Sequence, residues 1–292
     1  MDLIDWAYAA EGALGVCPLS VTVKLCQHIY KAYQLADNCI AAWSSGDYVL
    51  VKGANLGEGS FGQVAVCKHR RTEEECTVKM VHKERRSTLV EIDMLKRTDN
   101  ANIVKLRGIY QQGTLMYIVM EKHVTDLDNA IQDPDGKPMN VAHIARQIVA
   151  SVHYLHHKKL MHRDVKCDNF LMDRSDLLDK QCKVVLADFG TACEAEPTDR
   201  FTEQVGTKTY WSPQVYDANY GTAADIFALG VVMFTLLKGR YPFNTENKTR
   251  VMKVFIPKVH GAACVDFTHK LLQKIEEDRV TAAEAMAHEY IA

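Results

Sequence analysis

Several features are missing from this chain of 292 residues, and each absence removes a class of protein. No run approaches the roughly 18 uncharged apolar residues that a membrane-spanning helix needs. The nine cysteines, from Cys17 to Cys264, never occur as Cys-x-x-Cys, which excludes the common zinc and disulfide frameworks and points to a reducing compartment. Charge of one sign is missing too: the formal net charge is −2, with no basic block suited to a nucleic-acid backbone. The opening Met1-Asp2-Leu3-Ile4-Asp5 carries acids where a secretory signal needs cations, and no glycine follows Met1 for myristoylation. Internal repeats and low-complexity tracts are also lacking. The expectation is a cytoplasmic protein, with the nucleus open as a second site, and with neither a nucleic-acid partner nor a membrane span.

What is present is an ordinary globular composition, 47% hydrophobic and 25% charged, enough to bury a core. Val21, Leu25, Ile29, Tyr33, Ala36 and Ile40 recur every three or four residues, which predicts an amphipathic helix over 20–43 that ends before Ser44-Ser45-Gly46-Asp47. Short valine-rich strands follow at Tyr48–Val51, Gln63–Lys68 and Cys76–Val81. A helix is predicted at Arg86–Arg97, and two more strands near Val104–Ile109 and Leu115–Met120. Beyond Glu121 the pattern is mainly helical: Val141–His157, the very apolar and therefore central Ala223–Leu237, then Thr268–Ile275 and Thr281–His288. The fold class is α+β, a small antiparallel sheet with one helix followed by a larger helical lobe.

Gly57-Glu58-Gly59-Ser60-Phe61-Gly62-Gln63-Val64 lies between two predicted strands. Glycines let a backbone approach phosphate oxygens closely. A dinucleotide-binding loop would be followed by a helix; here a strand follows. Lys79, on the third strand, is a candidate ammonium for nucleotide phosphates, with Glu91 as the carboxylate that holds it and Glu84, nearer the helix start, as the weaker choice.

His162-Arg163-Asp164-Val165-Lys166-Cys167-Asp168-Asn169 and Ala187-Asp188-Phe189-Gly190 are more specific. Asp164 would accept the proton of an attacking hydroxyl, and Lys166 would offset charge on a transferring phosphoryl group. Asn169 and Asp188 would hold Mg²⁺, which needs only one or two protein oxygens. Such chemistry works by position and electrostatics.

With these motifs in this order, residues 48–291 resemble the eukaryotic protein kinase family, serine/threonine branch. The resemblance implies a bilobal fold with an N-lobe at 47–120, a hinge at 121–125 and a C-lobe at 126–292, after an N-terminal extension of residues 1–46. It implies ATP and Mg²⁺ as cofactors and protein substrates as partners. Leu56, Gly57, Glu58, Gly59, Ser60, Phe61, Gly62, Val64, Thr77 and Leu171 would then surround the nucleotide. Met120 would be the gatekeeper, Glu121 to His123 would meet the adenine, and Asp126 the ribose. Leu95, Leu106, His162 and Phe189 would form the hydrophobic spine. Gly206-Thr207-Lys208-Thr209-Tyr210-Trp211-Ser212-Pro213-Gln214 resembles the end of the activation segment, with Thr207 meeting Lys166 and Asp164. Asp225 and Gly230 resemble the start of the central helix, and Arg279 the closing arginine.

Departures from the family pattern are Thr77, where alanine is usual, and Gln214, where a glutamate usually pairs with the arginine that is Arg279 here. The connection from Lys79 to Glu91 is short, which is expected to trim the helix at its start. Thr198, Thr202 and Tyr210 are candidate modification sites, and Glu203 stands where a phosphothreonine is often carried. Residues 20–43 are expected to pack as a helix on the small lobe, with a docking or regulatory segment for a partner as the alternative. The expectation is an active protein serine/threonine kinase; the alternative is a pseudokinase that binds nucleotide or acts as a scaffold.

Overall fold

The computed structural model describes residues 43–59, 62–131 and 141–292. The helix expected over 20–43 lies outside the described residues apart from Trp43, as do Ser60 and Phe61. The chain divides into two units, residues 1–54 with 67–74, and residues 55–66 with 75–292. In the first, the Ser45 hydroxyl accepts from the Tyr48 amide at 2.9 Å, and the Tyr48 and His69 rings meet edge to face. The second unit contains all the candidate site residues.

The fold is α+β and bilobal. Strands β1 (Tyr48–Gly59), β2 (Gly62–His69), β3 (Glu75–His82), β4 (Leu106–Gln112) and β5 (Leu115–Glu121) form a five-stranded sheet in the order β1-β2-β3-β5-β4. β1 runs on through the glycine loop rather than stopping at Val51, and β4 starts two residues later than its valine content suggests. Val104 instead donates its amide to the Leu186 carbonyl at 3.0 Å. Side chains alternate along β3, so Thr77, Lys79 and Val81 share one face. Helix α1 (Arg86–Arg97) buries Thr88, Glu91, Ile92, Met94 and Leu95, a stripe at helical spacing. Glu91 falls in its second turn.

Past β5 come β6 (Thr125–Asp126), α2 (Leu127–Ala130), α3 (Ala142–His157), β7 (Leu160–Met161), β8 (Phe170–Met172), β9 (Val184–Leu186) and β10 (Cys193–Glu194). Strands β6, β8 and β9 form one small sheet, β7 and β10 another. Helices α4 (Pro213–Tyr216), α5 (Ala223–Lys238), α6 (Glu246–Val251), α7 (Ala262–Leu271) and α8 (Ala282–Met286) complete the lobe. α5 is apolar on every face and buried from Ala224 to Leu237. Gly230 allows this, because a Cβ there would press on the Leu272 side chain. α7 begins six residues before the predicted Thr268 and ends before Ile275. Gly261, at φ +87°, opens it, and the small residues that follow hide its period. Thr281 is not the first residue of α8 but its cap, in a reciprocal capping box with Glu284.

Candidate active site

Lys79 is drawn into place from three sides. Its ammonium lies 2.8 Å from both carboxylate oxygens of Glu91 and 3.0 Å from Asp188 Oδ1. All three belong to separate elements: β3, α1 and the turn after β9. Burial lowers the pKa of Lys79, but the Glu91 and Asp188 carboxylates outweigh it and hold the pKa above the ordinary lysine value. Glu84 lies exposed in the turn before α1, so Glu91 is the partner.

The loop from His162 to Asn169 is fastened from beneath. Asp225, in the first turn of α5, accepts from the His162 amide at 2.9 Å, the Arg163 amide at 3.0 Å and the His156 ring at 3.1 Å. Burial opposes its charge, yet these donors keep its pKa below the usual carboxylate range. The grip supports a left-handed backbone at Arg163, φ +65°, a conformation that costs about 1–3 kcal/mol in a non-glycine residue. Asp188 is also left-handed, at φ +61°. From the sequence, Asp225 is legible only as the start of the central helix. Its one visible signal was a lone carboxylate heading an otherwise apolar run.

Above this base, Asp164 Oδ1 accepts from both the amide and the hydroxyl of Thr207, each at 2.8 Å. Lys166 Nζ lies 3.1 Å from Asp164 Oδ2 and 3.1 Å from the Thr207 hydroxyl. Gly206 must be glycine for this approach. It has φ +85°, and a Cβ would overlap the Arg163 carbonyl oxygen. The Asn169 amide group donates to the Asp164 carbonyl at 2.8 Å, and its side-chain oxygen has no hydrogen-bond donor among the described residues. His162 and Phe189 are fully buried with rings edge to face at 5.1 Å. Leu95 lies in the same core cluster as Phe189, and the half-buried Leu106 packs against it.

Glu203 pairs with Arg163 at 3.2 Å and lies 3.9 Å from Arg86 at the start of α1. Thr198 and Thr202 are exposed. Tyr210 is not a candidate for modification: it is 4% exposed, and its hydroxyl accepts the Cys167 amide at 3.2 Å. Gln214 keeps a hydrogen bond to Arg279 at 2.9 Å and donates to the Lys274 carbonyl.

Among the residues expected near the adenine, Thr77 pairs in register with Met120, which is 8% exposed, and the Thr77 side chain is half-buried. Val64 and Leu171 are half-buried, and Leu56 is exposed. Glu121 turns back to accept the Lys105 amide at 3.1 Å, and His123 Nδ1 is buried without a partner. Both Asp126 oxygens are engaged by Asn129, so this residue caps α2. The backbone of Gly57 to Gly59 continues β1; the side chain of Glu58 is not among the described ones.

A sequence profile of the protein kinase domain matches residues 50–291. The chain belongs to the protein kinase family. Among curated relatives, this kinase is 28% identical over 256 residues to calcium-dependent protein kinase 4 of Plasmodium berghei (strain Anka), covering 81% of this chain and 48% of that protein. It is 28% identical over 260 residues to calcium-dependent protein kinase 25 of Arabidopsis thaliana, covering 82% and 49%. With the serine/threonine-protein kinase PLK4 of Drosophila willistoni it shares 30% over 258 residues, 81% of this chain and 32% of that one. The kinase thus spans half or less of the length of these relatives.

Proposed function

We propose that this kinase transfers the γ-phosphoryl group of ATP, as its magnesium complex, to serine and threonine hydroxyls of protein substrates. The observation that carries the reading is the junction of Asp164, Lys166 and Thr207, because it sets a proton acceptor and a cation within 3.1 Å of each other beside the segment that would receive the acceptor residue. Asp164 would take the hydroxyl proton, Lys166 would offset charge on the phosphoryl oxygens, and Thr207 would hold both in register. The Lys79–Glu91 pair would steady the α/β-phosphates. Asn169 and Asp188 fit magnesium, since each retains an oxygen that this structure does not commit elsewhere and hard oxygen donors suit that ion. Asn169 and Asp188 would hold it beside the phosphates, where its charge would offset part of theirs.

A cavity of about 470 Å³ lined by Lys208, Thr209, Tyr216, Tyr241 and Phe243 adjoins the acceptor segment and could seat a substrate chain. The serine/threonine reading is supported by Lys166 and Thr207 and by the similarity to the serine/threonine-protein kinase PLK4 of Drosophila willistoni. It is tested by radiolabel transfer from Mg-ATP with wild type and Asp164→Ala, followed by acid hydrolysis of the product. Labelled phosphoserine or phosphothreonine, lost in the variant, is expected. Phosphotyrosine alone would overturn the specificity, and transfer that survives in Asp164→Ala would overturn the mechanism. Residues 47–292 are read as the kinase domain. Residues 20–43 are read from their periodicity as a helix that packs on the small lobe, with a docking or regulatory segment as the alternative, and deleting 1–44 while following both stability and activity separates the two.

A further inference from the structure

Between α6 and α7 the chain runs without regular hydrogen bonding from Met252 to Pro257, both of which have extended backbone angles. Burial alternates along it: Val254 and Ile256 are buried, Lys253 and Phe255 exposed. That is the pattern of a strand lying on a core. In an extended chain the N–H and C=O of alternate residues point to the same edge. The Val254 carbonyl accepts from the His269 ring at 3.1 Å, so one edge is turned toward α7. The other edge, carried by Lys253 and Phe255, has no hydrogen-bond partner among the described residues. Phe255 is 80% exposed, and Val251 and Val259 flank it at 71% and 58%.

Charge identifies what would cover this edge. From Asn247 to Val265 there is no Asp or Glu, although the chain as a whole is acidic. Arg250 is neutralised by Asp217 and Glu246. Lys248, Lys253 and Lys258 are exposed and have no acidic partner among the described residues. Lysine and proline on an edge discourage pairing with a second copy, whose own lysines would crowd them. They do not account for an uncovered phenylalanine. A partner of opposite charge satisfies all three features: open backbone groups, apolar side chains and unmatched cations.

We propose that residues 252–257 are a docking edge onto which a partner protein adds an extended segment of alternating apolar and acidic residues. Main-chain bonds to Lys253 and Phe255 would supply affinity, the Phe255 ring an apolar contact, and the lysines orientation and selection by charge. The site is separate from the phosphotransfer residues, and its test does not depend on transfer.

The test uses the full chain and a fluorescein-labelled octapeptide alternating valine and glutamate. Fluorescence anisotropy is expected to show binding that weakens with salt, and amide exchange to show protection over 252–258. Phe255→Asp and Lys253→Glu, both at exposed positions, should weaken binding roughly tenfold or more while leaving the thermal melt unchanged. The lysine-for-glutamate peptide should not bind. Absence of binding, protection elsewhere, or equal affinity in Phe255→Asp would overturn the proposal. A dimer of the free chain that Phe255→Asp dissolves would assign the edge to a second copy and overturn it as well.

Discussion

Glu203 places its carboxylate 3.2 Å from the Arg163 guanidinium, joining the segment before Gly206 to the loop that carries Asp164. The same carboxylate reaches toward Arg86, on the helix that carries Glu91. A fixed carboxylate can do part of the work of a phosphate between two arginines. Glu203→Lys is therefore expected to lower the activity of unphosphorylated enzyme several-fold, and Glu203→Gln less. Initial rates on enzyme shown by mass spectrometry to be unphosphorylated provide the check; unchanged rates would remove this role.

Asp225 supplies a dependence on acid. Its folded pKa lies below the value of about 3.9 for a free aspartate, so its contribution is complete above that value. It is lost as pH falls through the folded pKa. Asp225→Asn should cost about 3 kcal/mol near neutrality, the scale for breaking a buried charged contact. It should also flatten part of the acid limb of stability. Chemical denaturation between pH 3 and 7 measures both.

Arg279 is buried against neutral acceptors, the carbonyls of Ala223 and Gln273 and the side chain of Gln214. Burial brings its pKa down to about 10, with Glu276 and Glu277 opposing the fall. Gln214→Glu is expected to restore a charge-assisted pair worth about 1 kcal/mol, or roughly 2–3 °C in Tm. A Tm unchanged or lower in calorimetry would show that desolvating the new carboxylate outweighs the pairing.

Lys274 presents the opposite case to Lys79. Its ammonium nitrogen is buried with no hydrogen-bond acceptor among the described residues, 3.6 Å from the centre of the Phe243 ring. Burial, reinforced by Arg279, pushes its pKa down to about 7. A lysine in the unfolded chain titrates near about 10.4, so between these values the unfolded state holds the extra proton and stability rises with pH. Below pH 7 the charge is present in both states and its burial is a constant penalty. Lys274→Met should raise Tm at pH 6–7 and remove the rise toward pH 10, as melts across that range would show.

The site was legible in the sequence wherever its chemistry is contiguous. His162 to Asn169 and Asp188 to Gly190 each place several functional groups within one short loop, so spacing alone betrays them. Lys79 and Glu91 could be paired because one strand and one helix follow in order. What stayed hidden depends on long-range contact. Asp225 grips amides more than sixty residues away, and nothing near it in sequence says so. Tyr210 reads as an exposed loop tyrosine until Cys167 is found beneath its hydroxyl. The start of α7 was missed because alanines after a glycine carry no periodic signal.

The central helix is fixed on two of its faces at once. Asp225 must face the catalytic loop, and five residues later Gly230 must face Leu272. Each residue along a helix turns the next by about 100°. A single insertion or deletion between these positions would swing one contact out of register while the other held. The stretch from 225 to 230 thus behaves as a gauge of fixed length, open to substitution on its remaining faces but closed to any change in residue number.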